Sequence, residues 1–199
     1  MTEKTQRVQR FFDACAEEWD SVSRSDPEKI AYILSKAHIR PGARVLDVAC
    51  GTGVLTQAIL QLGPAQVTGV DLSEKMIARA KEKFTDARAV FIVADIQELC
   101  CDTPYDTVLL YNAYPHFEDK EALFQAVSRL TRPGGCFVLA HGEGRGHINR
   151  CHLKSPGRQE ISSPLGPAEE MALLLKPWFD VDLLEDSDGR YLVRGFKKN

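Results

Sequence analysis

Apolar and polar positions along this chain follow two alternating rhythms. Short apolar runs bounded by Gly, Pro and Asp take turns with segments whose apolar residues recur every three or four positions. Val45, Leu46 and Val48 suit a strand covered on both faces. Val54, Leu55, Ala58, Ile59 and Leu62 form the stripe of a helix. The same alternation predicts strands over 43–49, 66–71, 88–93, 105–111 and 136–140, and helices over 53–62, 74–84 and 119–131. Gly63-Pro64 and Arg132–Gly135 punctuate the pattern, and Ser73 stands where a helix cap belongs. Strand and helix in turn imply a parallel sheet with helices on both faces.

The flanks read differently. Phe11, Phe12, Cys15 and Trp19 recur at helical spacing, predicting one amphipathic helix whose aromatic stripe is either ordinary core or a cap over a pocket. Asp26 or Ser25 caps a second helix with Pro27 at its first position, running to about Ala37. After His141 the chain is rich in Gly, Pro, His and Arg through residue 166, with a short helix over 146–153. A helix over 167–176 leads to strands 179–185 and 190–196, joined through Ser187–Gly189 as an antiparallel pair at the sheet edge. The expected fold is an α/β, doubly wound, Rossmann-like sheet of seven mostly parallel strands. One domain over 1–199 comprises cap helices (1–40), a core (41–140), a long loop (141–166) and a C-terminal helix with edge strands (167–199). A loop as long as 141–166 is often functional.

Composition changes this picture little. The chain is 44% hydrophobic and 27% charged, so it is neither disordered nor membrane-like. A net charge of -3 argues against a general nucleic-acid or anionic-membrane binder. No apolar run approaches the roughly 18 residues of a transmembrane helix, and Met1–Arg10 lacks the apolar core of a signal peptide. The six cysteines are scattered, which suits a reducing cytoplasm better than a disulfide framework. A monomer and a homodimer are equally compatible with these features.

The candidate chemistry lies at the predicted carboxyl ends of the strands, where open α/β sheets bind ligands. Asp47 and the loop Cys50–Gly53 end the first strand, Asp71 the second, Asp95 the third, and Asn112 with His116 the fourth. Asp71 follows Gly53 by 18 residues, where a carboxylate can accept both ribose hydroxyls of an adenosine. NAD, FAD and S-adenosylmethionine all carry such a ribose. The glycine pattern lacks the third dinucleotide glycine, Thr56 standing in its place, and no Gly-Lys-Ser/Thr makes a P-loop. Asp47 beside the loop is expected to repel a pyrophosphate and attract the ammonium and sulfonium of S-adenosylmethionine.

Asp47–Gly53 resembles the first motif of class I S-adenosylmethionine-dependent methyltransferases. Val70–Ile77 is similar to their ribose and adenine segment, Ala94–Ile96 to the adenine-edge motif, Tyr105–Asn112 to the fourth strand and Leu130–Gly135 to the turn before the fifth. Phe12–Asp20 is similar to the leading helix of the ubiquinone/menaquinone-type small-molecule subgroup. The resemblance covers roughly residues 10–140 and implies S-adenosyl-L-methionine as cofactor. It implies that Cys50, Gly51 and Gly53 pass backbone close to the methionine part, with Asp47 near its amine. Asp71 holds the ribose, Leu72 and Met76 cover the adenine, Asp95 takes its exocyclic amine beside Ile96, and Asn112 lies near the reactive methyl. Trp19, Ala49 and Thr52 are counted with this cofactor set. Ala49 replaces the loop's usual first glycine, a departure expected to cost little.

The methyl acceptor is expected at the other end. Four of the five histidines fall in Tyr114–Phe117 and His141–His152. His116, His141 and His147 are the candidate bases, since imidazole titrates near neutral pH. His147 and Cys151, four apart on the helix, make a metal site conceivable with His116 or His141, although no recognised spacing is met. Arg145, Arg150, Lys154 and Arg158 suggest either a solvated loop or an acceptor with a carboxylate or phosphate. The expected function is methyl transfer to a small molecule on O, S, N or C, with no nucleic-acid or membrane partner. The rivals are a non-catalytic S-adenosylmethionine-binding or metal-sensing module, an RNA or protein methyltransferase, and, more distantly, a dinucleotide oxidoreductase.

Overall fold

The computed structural model describes residues 1–23 and 25–199, with every side chain of these except that of Pro156. Helix α1 (Glu3–Cys15) is capped by Thr2, and α2 (Trp19–Val22) and α3 (Pro27–Lys36) follow, α3 capped by Asp26 through Glu28 N–H. The core then alternates through β1 (Arg44–Val48), α4 (Thr56–Gln61), β2 (Gln66–Asp71), α5 (Glu74–Lys83), β3 (Ala89–Val93), β4 (Tyr105–Tyr111), a 3-10 turn (Tyr114–His116), α6 (Lys120–Leu130) and β5 (Thr131–His141). Helices α7 (Arg145–Lys154), α8 (Pro156–Gln159) and α9 (Ala168–Leu175) precede β6 (Phe179–Ser187) and β7 (Arg190–Lys197).

The seven strands form one sheet in the order β3-β2-β1-β4-β5-β7-β6. The first five are parallel, and β7 pairs antiparallel with both β5 and β6. The expected fold class is therefore present, with one adjustment. Of the C-terminal pair only β6 is an edge, because β7 inserts beside β5. The order reverses between β1 and β4, which opens a crevice at their carboxyl ends.

Strand alternation sorts the core into two layers. Leu46 and Val48 of β1 pack with Val108, Leu110, Phe137 and Leu139 against α6 and α9. Val45, Leu109, Val138 and Ala140 turn to the other face, against Ile30, Ile33 and Leu34 of α3 and Ile59 and Leu60 of α4. Asp47 shares the pleat of Val45, so a carboxyl group enters an otherwise apolar layer.

Three boundaries differ from the sequence reading. The leading helix stops at Cys15, and Trp19 begins a separate short helix. Helix α4 starts at Thr56 rather than at 53, because Gly53 sits at φ +83°, outside helical space. Strand β5 begins at Thr131, and Arg132–Gly135 bulges where the pairing jumps from Tyr105↔Thr131 to Thr107↔Cys136. Helix α8, a single turn opening on Ser155-Pro156, lies within the stretch expected as a loop.

Candidate active site

One cavity of about 500 Å³ lies at the carboxyl ends of β1 to β5. Helices α1 and α2 roof it with Val8, Gln9, Phe12 and Trp19. The aromatic stripe is thus a cap: Phe12 packs edge-on against Trp19 (centroids 5.5 Å) at one end and His116 (5.1 Å) at the other. Polar ties hold the cap down. Gln9 Nε2 donates to Leu72 O (3.1 Å), Ser73 Oγ to Asp13 (2.6 Å), and Thr52 Oγ1 and Lys83 Nζ to Asp20 (2.5 and 2.8 Å).

At the β1–β3 end, the loop after β1 turns through Ala49 (φ +55°), Gly51 (φ +55°) and Gly53 (φ +83°). Left-handed φ strains a non-glycine residue by roughly 1–2 kcal/mol. Ala49 is therefore more than the nearly free departure its sequence suggests. The N–H groups of Cys50, Gly51 and Gly53 donate to Val70 O, Asp71 Oδ2 and Cys50 O (3.1, 2.9 and 2.9 Å). With these three donors spent internally the loop makes a poorer phosphate cradle, which weighs against a dinucleotide.

Asp71 lines the cavity with Oδ2 accepting from Gly51 N–H and Oδ1 from Ser73 N–H, both at 2.9 Å. Its two oxygens are fixed in orientation, and each keeps a lone pair for a diol. Burial pushes its carboxyl up, partly offset by those N–H bonds. Asp95 lines the cavity with Oδ1 accepting from Gln97 N–H (3.0 Å), and Leu72, Met76 and Ile96 form an apolar wall between the two carboxylates. Asn112 (φ +54°) accepts from Gly142 N–H (3.0 Å) and sits where the two ends meet. Trp19, Ala49, Cys50 and Gly51 line the cavity as well. This set fits an adenosine with a positively charged, phosphate-free tail.

Asp47, Thr52 and Gly53 are not on the cavity wall. Thr52 is buried and turned to Asp20, where it fastens the cap, and a Cβ on Gly53 would stand 2.7 Å from the Phe84 ring. Asp47 is 1% exposed, and neither oxygen has a hydrogen-bond partner among the described residues. Burial first, then the Asp71 charge, lifts its carboxyl to about 8. Asp47 is thus largely neutral at pH 7 in this state, so the fixed repulsion of phosphate expected from it is absent.

At the other end, His116, His141, His147 and His152 all line the cavity. His116 comes from the 3-10 turn, its Nδ1 within 3.3 Å of Ile161 O and 3.2 Å of Ser162 Oγ. His141 ends β5, is 2% exposed, and has no partner for Nε2 among the described residues. Burial and the neighbouring histidines drive both imidazoles down to about 3, so both are neutral at pH 7. His147 is exposed and pairs with Cys151 (Nε2 to Sγ, 3.2 Å). His152 packs on His116 with ring centroids 5.3 Å apart, its Nδ1 buried and unpartnered among the described residues. His152 closes the histidine-bearing stretch; it lies four residues after Ile148, the buried residue of α7, and so shares its inward face. Among the described residues no three His, Cys, Asp or Glu stand in metal-holding geometry, so His147 and Cys151 gain no third ligand from His116 or His141.

Residues 45–135 match a family model described as "Methyltransferase domain". The ubiquinone biosynthesis O-methyltransferase of Xanthomonas campestris pv. campestris (strain B100) is 33% identical over 119 residues, 58% of this chain and 49% of the relative. The chain thus spans about half the length of the curated relatives it matches. Magnesium protoporphyrin IX methyltransferase from Synechocystis PCC 6803, solved with bound SAH, superposes with a TM-score of 0.72 at 18% identity over 98% of this chain and 100% of that one. DhpI, also solved with SAH, superposes at 0.77 with 22% identity over 98% and 97%. At such identities these superpositions speak for the fold.

Proposed function

We propose that this chain is a class I S-adenosylmethionine-dependent methyltransferase and that it methylates a small molecule held against the histidine end of its cavity. The observation that carries the proposal is one continuous cavity. It has carboxylates at the β2 and β3 ends, neutral imidazoles beyond the β4 and β5 ends, and Asn112 between them. Asp71 is assigned to the ribose hydroxyls, Leu72, Met76 and Ile96 to the adenine faces, Asp95 to the adenine amine, and the Ala49–Gly51 backbone with Trp19 to the methionine part. Asp47 acts from behind this wall: a bound ammonium nearby favours its ionised form.

S-adenosylmethionine supplies an activated methyl: the acceptor's electron pair forms the new bond and the C–S pair returns to sulfur. The protein's part is position and dryness. The cap supplies both, with Phe12 and Trp19 over the two halves. Arg158 at the cavity wall suits an acceptor with an anionic group away from the reacting atom. No helix among the described residues is long and apolar enough to cross a membrane. The six free cysteines support placing the chain in a reducing cytoplasm.

The test is a titration of the chain with S-adenosylmethionine, S-adenosylhomocysteine and NAD, followed by release of S-adenosylhomocysteine in metabolite extracts. Binding of the first two alone and extract-dependent turnover are expected. Binding of NAD in their place would overturn the assignment, and binding without turnover in any extract would favour a non-catalytic module.

A further inference from the structure

Asp47 differs from the other strand-tip carboxylates in what surrounds it. Asp71 accepts two backbone N–H bonds at 2.9 Å and Asp95 one at 3.0 Å. Asp47 is 1% exposed, and neither of its oxygens has a partner among the described residues. An ionised carboxylate without donors or a counterion is costly to bury, so such a group keeps its proton. Yet Asp47 stands just before Val48 and Ala49, both on the cavity wall, where the methionine part of the cofactor is assigned. Two residues of extended chain span about 7 Å. A unit positive charge about that far away, at an effective dielectric constant of about 20, favours the ionised form by roughly fifty-fold.

From this arrangement, and resting on the methyltransferase reading above, we infer that Asp47 is a charge sensor for the cofactor: it gives up its proton when the cationic methyl donor binds and regains it when the product, one positive charge poorer, is left. S-adenosylmethionine brings an ammonium and a sulfonium against one carboxylate. S-adenosylhomocysteine has lost the sulfonium charge. On binding of the donor, the Asp47 O–H bond breaks, its electron pair stays on the carboxylate and the proton goes to the buffer. The chain meets the donor with a full counter-charge and the spent product with a weaker one. Asp47 therefore acts as a specificity residue, favouring S-adenosylmethionine over the product it becomes.

The surroundings leave this carboxyl free to respond. Opposite it in the sheet stand Gly69 of β2 and Leu109 of β4. Helices α3 and α4 bring apolar side chains to its layer, and Thr56 a buried hydroxyl. The Cys50 thiol and the Tyr111 phenol are both pushed up, first by burial, and stay neutral. Farther out, Lys83 of α5 is paired with Asp20 (2.8 Å), Glu143 with Lys29 (2.5 Å), and Asp13 accepts from Ser73 Oγ (2.6 Å). The described residue whose charge bears on Asp47 is Asp71, which adds to burial in lifting the carboxyl to about 8.

Calorimetric titration of the full chain with S-adenosylmethionine and with S-adenosylhomocysteine, in phosphate and in Tris at pH 7.5, counts the protons exchanged, because the two buffers take up protons with different heats. Release of roughly three-quarters of a proton is expected with S-adenosylmethionine, and clearly less with S-adenosylhomocysteine. Affinity for S-adenosylmethionine is expected to rise by up to about tenfold from pH 6 to pH 7 and to level off near pH 8, where the free carboxyl ionises unaided. In Asp47→Asn neither ligand should release the proton, and the preference for S-adenosylmethionine should shrink. Equal release by the two ligands, or undiminished release from Asp47→Asn, would overturn the sensor. Binding to wild type without proton exchange would overturn it with no variant needed, and would leave the methyltransferase reading standing. Failure of both ligands to bind would sink that reading and the sensor together.

Discussion

At the β1–β3 end of the cavity, the polar groups on the wall come from strand tips within Ala49–Gln97, and their partners are backbone N–H groups a few residues away in space and in fold. At the other end, Phe12, His116 and His152 come from separate places and meet by ring packing, with the Ile161 carbonyl on His116 and His141 on the same cavity wall. The first end is a local motif repeated along the sheet. The second exists only once the chain has closed on itself. The electrostatics also oppose each other. Buried carboxyls at the first end are pushed up and buried imidazoles at the second pushed down, so each end is less charged than its composition suggests.

That opposition gives the largest effect to look for. The folded Asp47 carboxyl titrates near 8 against an ordinary 3.8. Well below pH 3.8 it is protonated whether folded or not. As pH rises toward 8 only the unfolded chain ionises freely, so the Asp47 contribution to stability falls across that window. Asp47→Asn is expected to be more stable than wild type by an amount that grows from pH 4 to 8, reaching on the order of 4 kcal/mol. Urea unfolding over a pH series reads it, and a difference flat in pH would contradict a neutral buried carboxyl. His116 and His141 have the opposite sign. Their folded values near 3 lie beneath the ordinary 6.5, so their contribution is present above pH 6.5 and lost as pH falls toward 3.

The cap joins the two ends, and loosening it sharpens the comparison. Asp20→Ala removes the anchor of Thr52 and Lys83. A loss of about 1 kcal/mol is expected, with hydrogen exchange quickened in α1 and α2 and unchanged in β1 and β4. Uniform quickening would mean that the cap belongs to the cooperative core. The smallest effect is Ala49→Gly. Relief of left-handed strain, roughly 1–2 kcal/mol, is partly offset by the greater freedom of glycine in the unfolded chain, about 0.4–1 kcal/mol. A net gain of about 0.5–1 kcal/mol in thermal or urea unfolding is the expected outcome; a loss would mean that the methyl group packs usefully.

The same division explains what could be read from the sequence. The parallel core and the strand-tip carboxylates were legible because each strand, glycine turn and Asp stands within one short window. Val45–Gly53 and Val67–Asp71 carry their own geometry. Three features needed the tertiary structure. Asp47 keeps its motif position, but its pleat turns it into the layer behind the cavity wall. Thr52 looks like part of the loop and in fact fastens α2. The choice between His147 and His152 was open because the phase of the helix was: His147 and Cys151 form one i, i+4 pair, Ile148 and His152 the other, and only burial of Ile148 decides which faces inward.

The central claim is that cofactor and acceptor groups occupy separable ends of one cavity. Calorimetric titration of S-adenosylmethionine into wild type, Asp71→Ala and His116→Gln tests it most directly. Asp71→Ala is expected to weaken binding by roughly 1.5–3 kcal/mol, the range for a charge-assisted hydrogen bond, while His116→Gln binds as wild type does. Undiminished affinity in Asp71→Ala, or affinity lost in His116→Gln, would contradict the division of the site.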